Sequence, residues 1–158
     1  MSEIFYRNEE GYIICWTDGS CSRNGHDGAT AGIGVYFGEQ HPWNISKALD
    51  SCIKQTSNRA EIWAAIEAIR KIREKGVYYV EIRSDSNFLV KGMTVWIHKW
   101  DKNGWRQSSP EFPIETENDF RQLKKEVDTV CNVKFVYIPR EDNKQADALA
   151  KAGMMSRV

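Results

Sequence analysis

Apolar residues in the first third of the chain follow patterns typical of β-strands. Residues 12–17 are apolar at both alternating positions, which predicts a strand that is buried on both faces and ends at an Asp18-Gly19 turn. Residues 28–38 are rich in small and β-branched side chains, residues 43–49 alternate weakly, and glycine turns separate these runs. The pattern predicts two consecutive hairpins, preceded by a poorly ordered polar lead-in at residues 1–10.

The pattern changes to a helical period from Asn58 to Lys75, where Gly76 closes the helix. The remaining pattern predicts strands at residues 77–83 and 133–138. It also predicts helices at residues 87–91 (capped by Ser84-Asp85-Ser86), 94–101, 116–130 and, after a capping box at 142–145, up to Gly153. This order, βββαβ(αα)αβα, predicts one α/β domain over residues 1–158. Mixed strand pairing is expected because hairpins come first and helical crossovers follow.

Composition narrows the class of protein. The 158 residues carry 22 Lys or Arg and 22 Asp or Glu, and 41% of them are hydrophobic. These values exclude a disordered tail, a collagen-like fibre and a highly basic nucleic-acid wrapper. No apolar run approaches the roughly 18 residues of a membrane span, and the acidic start lacks the layout of a secretory signal.

The four cysteines show no pattern of zinc ligands, so buried thiols are expected rather than disulfides or a zinc site. They are Cys15, Cys21, Cys52 and Cys131. Together with the lack of a visible targeting signal, they predict a reducing intracellular compartment: the nucleus, the cytoplasm or the mitochondrion.

One segment departs from the overall neutrality. Residues 91–106 hold four Lys or Arg, one Asp and three of the six tryptophans. Trp96 and Trp100 are four positions apart, which is typical of a helix buried in the core. The interleaved cations do not fit that interpretation; they are Lys99, Lys102 and Arg106.

Four acids fall at predicted strand ends or helix starts. Each acid has an ordinary structural role to consider: Asp18 is typical of a turn before glycine, and Glu61 is typical of a capping box begun by Asn58. Asp85 suits a helix N-cap, and Asp147 gains from the dipole of the last helix. In a parallel-paired α/β layer, however, all four lie on the edge where the carboxyl ends of strands form ligand sites.

Carboxylates gathered at one edge raise one another's pKa, so the group is costly unless a cation neutralises it. Mg²⁺ prefers oxygen ligands and is held by a few carboxylates, waters and substrate phosphates. Two such ions about 4 Å apart activate a water and stabilise the leaving oxygen in phosphodiester cleavage. Since no Ser/His or Cys/His pattern points to a covalent nucleophile, the acids favour metal-dependent hydrolysis.

An ordered series of strings over residues 12–153 resembles the type 1 ribonuclease H family, and its cellular eukaryotic enzymes more than its bacterial ones. The strings are Thr17-Asp18-Gly19-Ser20-Cys21, Asn24-Gly25, Ala31-Gly32-Ile33-Gly34-Val35-Tyr36, Gln55-Thr56-Ser57-Asn58-Arg59-Ala60-Glu61, Ser84-Asp85-Ser86, Trp96 through Asn103-Gly104-Trp105, and Asn143 with Ala146-Asp147-Ala148-Leu149-Ala150. The resemblance implies the ribonuclease H-like fold, a five-stranded mixed sheet flanked by helices. This fold agrees with the predicted element order.

The resemblance also implies an activity. The family's four active-site acids correspond to Asp18, Glu61, Asp85 and Asp147. By resemblance, these acids hold two Mg²⁺ ions, with Mn²⁺ as a substitute, and the scissile phosphate. The implied reaction is endonucleolytic hydrolysis of the RNA strand of an RNA/DNA hybrid, leaving 5′-phosphate and 3′-hydroxyl ends. The implied role is removal of RNA primers or R-loops.

Substrate contacts follow from the same resemblance. Cutting only RNA requires contacts to 2′-hydroxyl groups, and phosphate contacts supply affinity without reading sequence. The positions that match the 2′-hydroxyl contacts are Asn24, Ser57, Asn58 and the backbone near Cys21. Those that match the DNA-phosphate pocket are Lys54 and Thr56. Those that match the DNA channel and the basic protrusion are Phe88, Trp96, Lys99, Trp100, Lys102 and Arg106.

Three departures from the family pattern carry expectations. The family commonly has a His on the loop before the last helix, whereas residues 138–143 form a shorter loop without His. Either turnover is slower, or Glu141 or Arg140 substitutes in part. Glu115 falls where relatives place an Asn in the phosphate pocket, which is expected to weaken binding of DNA phosphate. The absence of a preceding hybrid-binding module predicts low processivity.

The three histidines are expected at the surface: His26, His41 and His98.

Two alternatives to a cellular enzyme stay open. The short loop also resembles some domains of reverse-transcriptase polyproteins, although the basic protrusion favours a cellular enzyme. A catalytically weak hybrid-binding module would keep the fold, but such relatives lose acids that this chain retains. We expect a monomer that binds RNA/DNA hybrid with modest, salt-sensitive affinity and does not bind membranes.

Overall fold

The computed structural model describes residues 4–105 and 113–156, which contain the predicted order of strands and helices. The strands are β1 (Ile13–Ser22), β2 (Thr30–Tyr36), β3 (Ile45–Ala48), β4 (Tyr79–Ser84) and β5 (Asn132–Tyr137). The helices are α1 (Ser57–Glu74), α2 (Asn87–Lys91), α3 (Ile97–Lys102), α4 (Glu117–Val127) and α5 (Lys144–Met155). A π-helical turn, Gly92–Trp96, joins α2 to α3, and a 3₁₀ turn, Arg140–Asp142, precedes α5.

The five strands form one mixed sheet in the order β3-β2-β1-β4-β5. β1, β2 and β3 pair as antiparallel hairpins, whereas β1, β4 and β5 run parallel to one another. The parallel pairing of β1 with β4 ends where Trp16 lies opposite Arg83. The side chains that follow the last parallel pair on each strand therefore emerge at one edge of the sheet, as the sequence predicts.

The sheet lies between α1 on one face and α5 on the other. The apolar stripe of α1 is fully buried and includes Ile62, Ile66 and Ile69. On the other face, a Cβ added at Gly34 of β2 would lie 2.3 Å from the backbone oxygen of Ala146, so α5 packs directly against the strand.

The last helix continues past Gly153, where the sequence predicted its end. A Cβ added at Gly153 would lie 2.4 Å from the backbone oxygen of Lys47 in β3. Gly153 therefore allows a close approach between α5 and the sheet, and it does not act as a helix stop. The helix ends two residues later, at Met155.

Residues 4–10 do not form the poorly ordered lead-in that the sequence predicted. The Tyr6 carbonyl accepts a hydrogen bond of 2.8 Å from the backbone N–H of Ile14. The Phe5 ring lies 4.6 Å from the Trp43 ring and 4.8 Å from the His41 ring, between centroids. His41 is buried in this aromatic cluster, so the expectation that it lies at the surface is wrong, whereas His26 and His98 are exposed.

All four cysteines are free thiols, as predicted, but only Cys15 is buried. Cys21 is half-buried, and the other two are exposed. The expectation of buried thiols is therefore correct for Cys15 alone. Within the described ranges, no helix combines the length and the apolar character needed to cross a membrane.

Candidate active site

Asp18 lies within β1, two residues beyond the last parallel pair with β4. The predicted turn at Asp18-Gly19 is absent from this described strand, because β1 continues to Ser22 in antiparallel pairing with β2. Gly19 has a different role: an added Cβ would lie 2.5 Å from the backbone nitrogen of Glu61. The glycine therefore lets α1 approach the strand and brings Glu61 next to Asp18.

Glu61 lies one turn inside α1 and is buried, with 8% of its surface exposed. The helix is capped by Thr56, whose side chain accepts a hydrogen bond from the backbone N–H of Arg59. The prediction of a capping box begun by Asn58 is therefore wrong. The Glu61 carboxylate instead accepts a hydrogen bond from the backbone N–H of Gly19, which fixes it against β1.

Asp85 directly follows β4, and Ser86 caps α2 by accepting a hydrogen bond of 3.1 Å from the backbone N–H of Leu89. Asp85 is therefore free of the capping role that an acid at this position often has. Its Oδ1 accepts a hydrogen bond of 2.7 Å from the Asn143 side chain, and its Oδ2 lies 3.6 Å from Nε of Arg140.

Three of the four predicted acids come together. One carboxylate oxygen each from Asp18, Glu61 and Asp85 lies within 4.8 Å of the other two. Asp147, in the first turn of α5, hydrogen-bonds to Asp18 and forms a 3.0 Å ion pair with Lys151, but it lies outside this group of three. We call the four residues the acid cluster.

The electrostatics of the acid cluster favour a bound cation. Burial raises the pKa of Asp18 strongly, and the neighbouring charges of Glu61 and Asp85 raise it further. Burial also raises the pKa of Glu61, against hydrogen bonds with Asp18 and the Gly19 backbone that favour the carboxylate. Without a cation, the pair retains protons that free carboxylates would lose. The oxygen donors and their spacing fit a hard divalent cation, which would keep all of these groups ionised.

The sequence did not identify Asn143 as part of the site and predicted it within a capping box. In the structure it flanks α5 without a side-chain capping hydrogen bond, so the capping box is wrong. Its side-chain N–H groups point to Asp85 and to the backbone carbonyl of Thr17, next to Asp18. No sequence signal separates this role from capping, because asparagine before a helix suits both.

A groove of about 650 Å³ lies beside α1 and contains most of the predicted substrate-contact residues. Those that line it are Asn24, Lys54, Thr56, Ser57 and Asn58. Asn24 and Ser57 exchange two hydrogen bonds of 3.2 and 3.1 Å, so these two polar groups hold each other in place. Cys21 does not line the groove; its thiol lies 3.7 Å from the Gln55 carbonyl, behind the groove wall.

Glu115 and Arg59 are charged residues that also line this groove. Glu115 lies there, at the position where the sequence predicted a weakened phosphate pocket, together with Lys54 and Thr56. Arg59, which the sequence did not single out, donates a hydrogen bond to the Glu115 backbone carbonyl and lies 3.4 Å from Asp119. With Lys54 and Asp27, which also line it, the groove brings together two cations and two acids.

The structure divides the basic aromatic segment into core and surface. Trp100 is fully buried and packs on Phe120, with 5.2 Å between ring centroids, so its predicted role in a DNA channel is wrong. Phe88 and Trp96 are partly buried at the rim of this core. The cations Lys99 and Lys102 are exposed, as a basic surface requires, and Arg106 lies outside the described residues.

The loop before α5 contributes Arg140 and Glu141. The Arg140 side chain is 91% exposed and reaches Asp85, as noted above. Glu141 is exposed. Of the two predicted substitutes for the family's loop histidine, Arg140 therefore lies at the acid cluster.

The mixed sheet and the acid cluster at the end of its parallel strands agree with the ribonuclease H-like fold that the sequence predicted. A family model described as RNase H matches residues 10–155. The chain therefore belongs to the RNase H family, as the sequence predicted.

Individual relatives agree with this family. Ribonuclease H1 of Mus musculus is 39% identical over 145 residues, which cover 89% of this chain and 50% of that protein. Ribonuclease H of Parvibaculum lavamentivorans is 30% identical over 149 residues, which cover 92% of this chain and 93% of that protein. The chain spans about half the length of the mouse relative.

Solved structures match the fold over nearly the whole chain. LC9-RNase H1 has a TM-score of 0.71 at 26% identity, with 92% of this chain and 72% of that chain covered. LC11-RNase H1, solved in complex with an RNA/DNA hybrid, has a TM-score of 0.67 at 26% identity, with 91% of this chain and 97% of that chain covered. The five-stranded mixed sheet with flanking helices is thus the ribonuclease H fold.

Proposed function

We propose that this protein is an endonuclease that hydrolyses the RNA strand of RNA/DNA hybrids with two Mg²⁺ ions, for which Mn²⁺ substitutes. The observation that carries the proposal is the close approach of Asp18, Glu61 and Asp85. Glu61 belongs to α1, whose first residues line the polar groove. The similarity to an RNase H1 solved with a hybrid supports this substrate. The products are 5′-phosphate and 3′-hydroxyl ends, and the role is the removal of RNA primers or R-loops.

The acid cluster supplies the ligands. Asp18 and Glu61 form its buried part, while Asp85 and Asp147 face the solvent-accessible side. Two ions held by these four carboxylates would supply the activation of the attacking water and the stabilisation of the leaving oxygen. The protein holds its carboxylates in place through the Gly19 backbone and the Asn143 side chain, so little reorganisation is needed.

The groove distinguishes the two strands of the hybrid. Asn24, Ser57 and Asn58 place short polar groups in this groove, where they contact the 2′-hydroxyl groups of RNA. The backbone near Cys21 adds a further contact to a 2′-hydroxyl group. On the DNA side, Lys54 and Thr56 bind a phosphate, and the partly exposed Phe88 and Trp96 support deoxyriboses. Lys99, Lys102 and Arg106 add affinity that is independent of sequence.

The test is incubation of the purified protein with Mg²⁺ and a hybrid that carries a different label on each strand. We expect the RNA strand alone to be cut, while duplex RNA and duplex DNA stay intact. Persistence of intact RNA at high protein concentration, with both Mg²⁺ and Mn²⁺, would exclude the proposed activity.

The acid in the groove should limit binding of DNA. Glu115→Asn removes a negative charge near Lys54 and Thr56, so we expect hybrid affinity to rise several-fold at low salt. The gain should shrink as salt screens the charges. Fluorescence anisotropy with labelled hybrid at several salt concentrations measures this. The control is Glu117→Gln, at an acid of α4 that pairs with Arg121; an equal gain in both variants would contradict a local effect.

Arg140 is the proposed partial substitute for the family's loop histidine. Its guanidinium can contact Asp85 or a substrate phosphate, and an exposed contact of this kind is worth about 1 kcal/mol or less. We therefore expect Arg140→Ala to lower kcat by up to about fivefold. Glu141→Ala is the matched control, and steady-state cleavage rates compare the two. A larger loss of kcat in Glu141→Ala than in Arg140→Ala would assign the substitute role to Glu141 instead.

A cellular enzyme is favoured over the two alternatives. The similarity to Ribonuclease H1 of Mus musculus supports a cellular origin, whereas foamy viral protease-reverse transcriptase, at 22% identity, shares the fold. The intact acid cluster argues against a module that only binds. We also propose a monomer in a reducing intracellular compartment, which the free thiols support. Light scattering and cell fractionation test these two points.

A further inference from the structure

We infer that Asn143 is a positioning residue that sets Asp85 and Asp18 at the spacing a metal ion requires. The inference rests on the proposed function, since it concerns the same acid cluster. Asn143 is almost completely buried, with 1% of its surface exposed. It lies between α5, β1 and the end of β4, the three elements that carry Asp147, Asp18 and Asp85.

Both side-chain N–H groups of Asn143 are used. One donates to Oδ1 of Asp85 at 2.7 Å, and the amide also donates to the backbone carbonyl of Thr17 at 2.9 Å. Thr17 immediately precedes Asp18, so one amide fixes a carboxylate oxygen and the backbone that carries a second acid. The reverse orientation of the amide would place its oxygen against two acceptors, so only this orientation fits.

The backbone of the same residue begins α5, whose first turn carries Asp147. The Asn143 carbonyl accepts a hydrogen bond of 3.0 Å from the backbone N–H of Asp147, and its own N–H donates to the Arg140 carbonyl at 3.0 Å. Asn143 therefore connects the loop, the first turn of α5 and both strands. The backbone bonds are ones that any residue at this position makes, so it is the positions of Asp18 and Asp85 that depend on the Asn143 side chain.

The arrangement of the Asn143 side chain is less favourable for stability than a helix cap would be, which indicates a functional role. The side chain does not cap α5, although asparagine is a favoured capping residue. Its Oδ1 is buried and has no hydrogen-bond partner among residues 4–105 and 113–156. A residue selected for stability alone would be expected to avoid a buried acceptor without a partner.

A neutral donor is also the appropriate group for this position. An amide restrains the Asp85 carboxylate and leaves its negative charge available to a metal ion. A buried Lys or Arg at the same place would neutralise the carboxylate and compete with the metal ion. Groups that orient metal ligands from behind in this way typically change metal affinity or activity by about 10- to 100-fold when they are removed.

The test compares Asn143→Ala with Asn8→Ala. Asn8 is the matched control, because its side chain donates to a carboxylate of Glu81 at 3.0 Å, in a part-buried contact outside the acid cluster. Three quantities are measured: the affinity for Mn²⁺ alone by electron paramagnetic resonance, the melting temperature of the metal-free protein, and kcat and KM on the hybrid.

We expect Asn143→Ala to weaken Mn²⁺ affinity about 10- to 100-fold and to lower kcat, with KM for the hybrid changed by less than about threefold. Asn8→Ala should lower only the melting temperature. Unchanged Mn²⁺ affinity in Asn143→Ala, with normal binding in the parent protein, would overturn the positioning role. A parent protein that neither binds Mn²⁺ nor cuts the hybrid would instead overturn the proposed function. If Asn143→Ala does not fold, Asn143→Ser, which keeps one O–H donor, allows the same comparison.

Discussion

Asp18→Asn is expected to abolish hybrid cleavage and, in the same protein, to raise the melting temperature in the absence of metal. Activity falls because a buried ligand of the acid cluster is lost. Metal ions contribute several kcal/mol to such reactions, so the loss should reach about 10³-fold or more. Stability rises because the amide can donate to Glu61 without adding a second buried charge. A gain of about 1 kcal/mol corresponds to about 2–4 °C for a domain of this size.

The pH dependence of this gain has a defined sign. The folded protein holds a proton on Asp18 above the ordinary pKa of 3.8, at which the unfolded chain releases it. The folded state therefore binds more protons, and its stability falls as pH rises above that value. Asp18→Asn does not lose stability in this way, so the difference in melting temperature between the variant and the parent protein should grow as pH rises.

Thermal melts in chelator between pH 4 and pH 8, with cleavage assays in Mg²⁺, measure both effects of Asp18→Asn. Asp128→Asn is the control, because its carboxylate is exposed and pairs with Lys124 on the surface. A metal-free Asp18→Asn protein that is less stable than the parent at neutral pH would contradict the electrostatic account of the acid cluster.

Trp100→Ala is expected to lower the free energy of unfolding by about 3–5 kcal/mol. The indole is fully buried and packs between Trp96, Trp105 and Phe120, with ring centroids 5.2 to 6.2 Å away. Its removal leaves a cavity that the surrounding rings cannot fill. The corresponding drop in melting temperature is about 6–20 °C.

Denaturant unfolding and hybrid binding of Trp100→Ala and Trp96→Ala separate the two tryptophans. Trp96 is only partly buried, so its replacement should cost less stability and weaken hybrid binding more at a temperature where both variants are folded. If Trp100→Ala is as stable as the parent and binds hybrid weakly, the indole contacts DNA and its assignment to the core is wrong.

The sequence predicts the order of elements well because the periodic apolar patterns are long. The helix predicted from Asn58 to Lys75 and the observed Ser57–Glu74 differ by one residue at each end. Asp85 follows β4 and Asp147 lies in the first turn of α5, as the pattern predicted, whereas Asp18 lies within β1, two residues beyond its last parallel pair with β4. The close approach of the four acids is a tertiary property, which the resemblance supported and the structure provides for three of them.

The predictions that failed depend on contacts between distant parts of the chain. Gly19 was interpreted as a turn residue and Gly153 as a helix stop, but both allow backbones to approach each other closely. Trp100 was assigned to a surface by the charges next to it, although neighbouring positions of a helix face in different directions. Asn143 looked like a cap because local sequence cannot show that Asp85 and the Thr17 carbonyl lie within its reach.

The most direct test of a metal-dependent hybrid nuclease uses Asp85→Asn and measures binding and cleavage of one labelled RNA/DNA hybrid under the same conditions. Asp85 lies at the solvent-accessible side of the acid cluster, so the substitution removes a ligand and leaves the groove intact. The account predicts that Asp85→Asn binds the hybrid about as tightly as the parent protein but cuts its RNA strand at least about 10³-fold more slowly in Mg²⁺. Equal cleavage by the variant and the parent protein would contradict it.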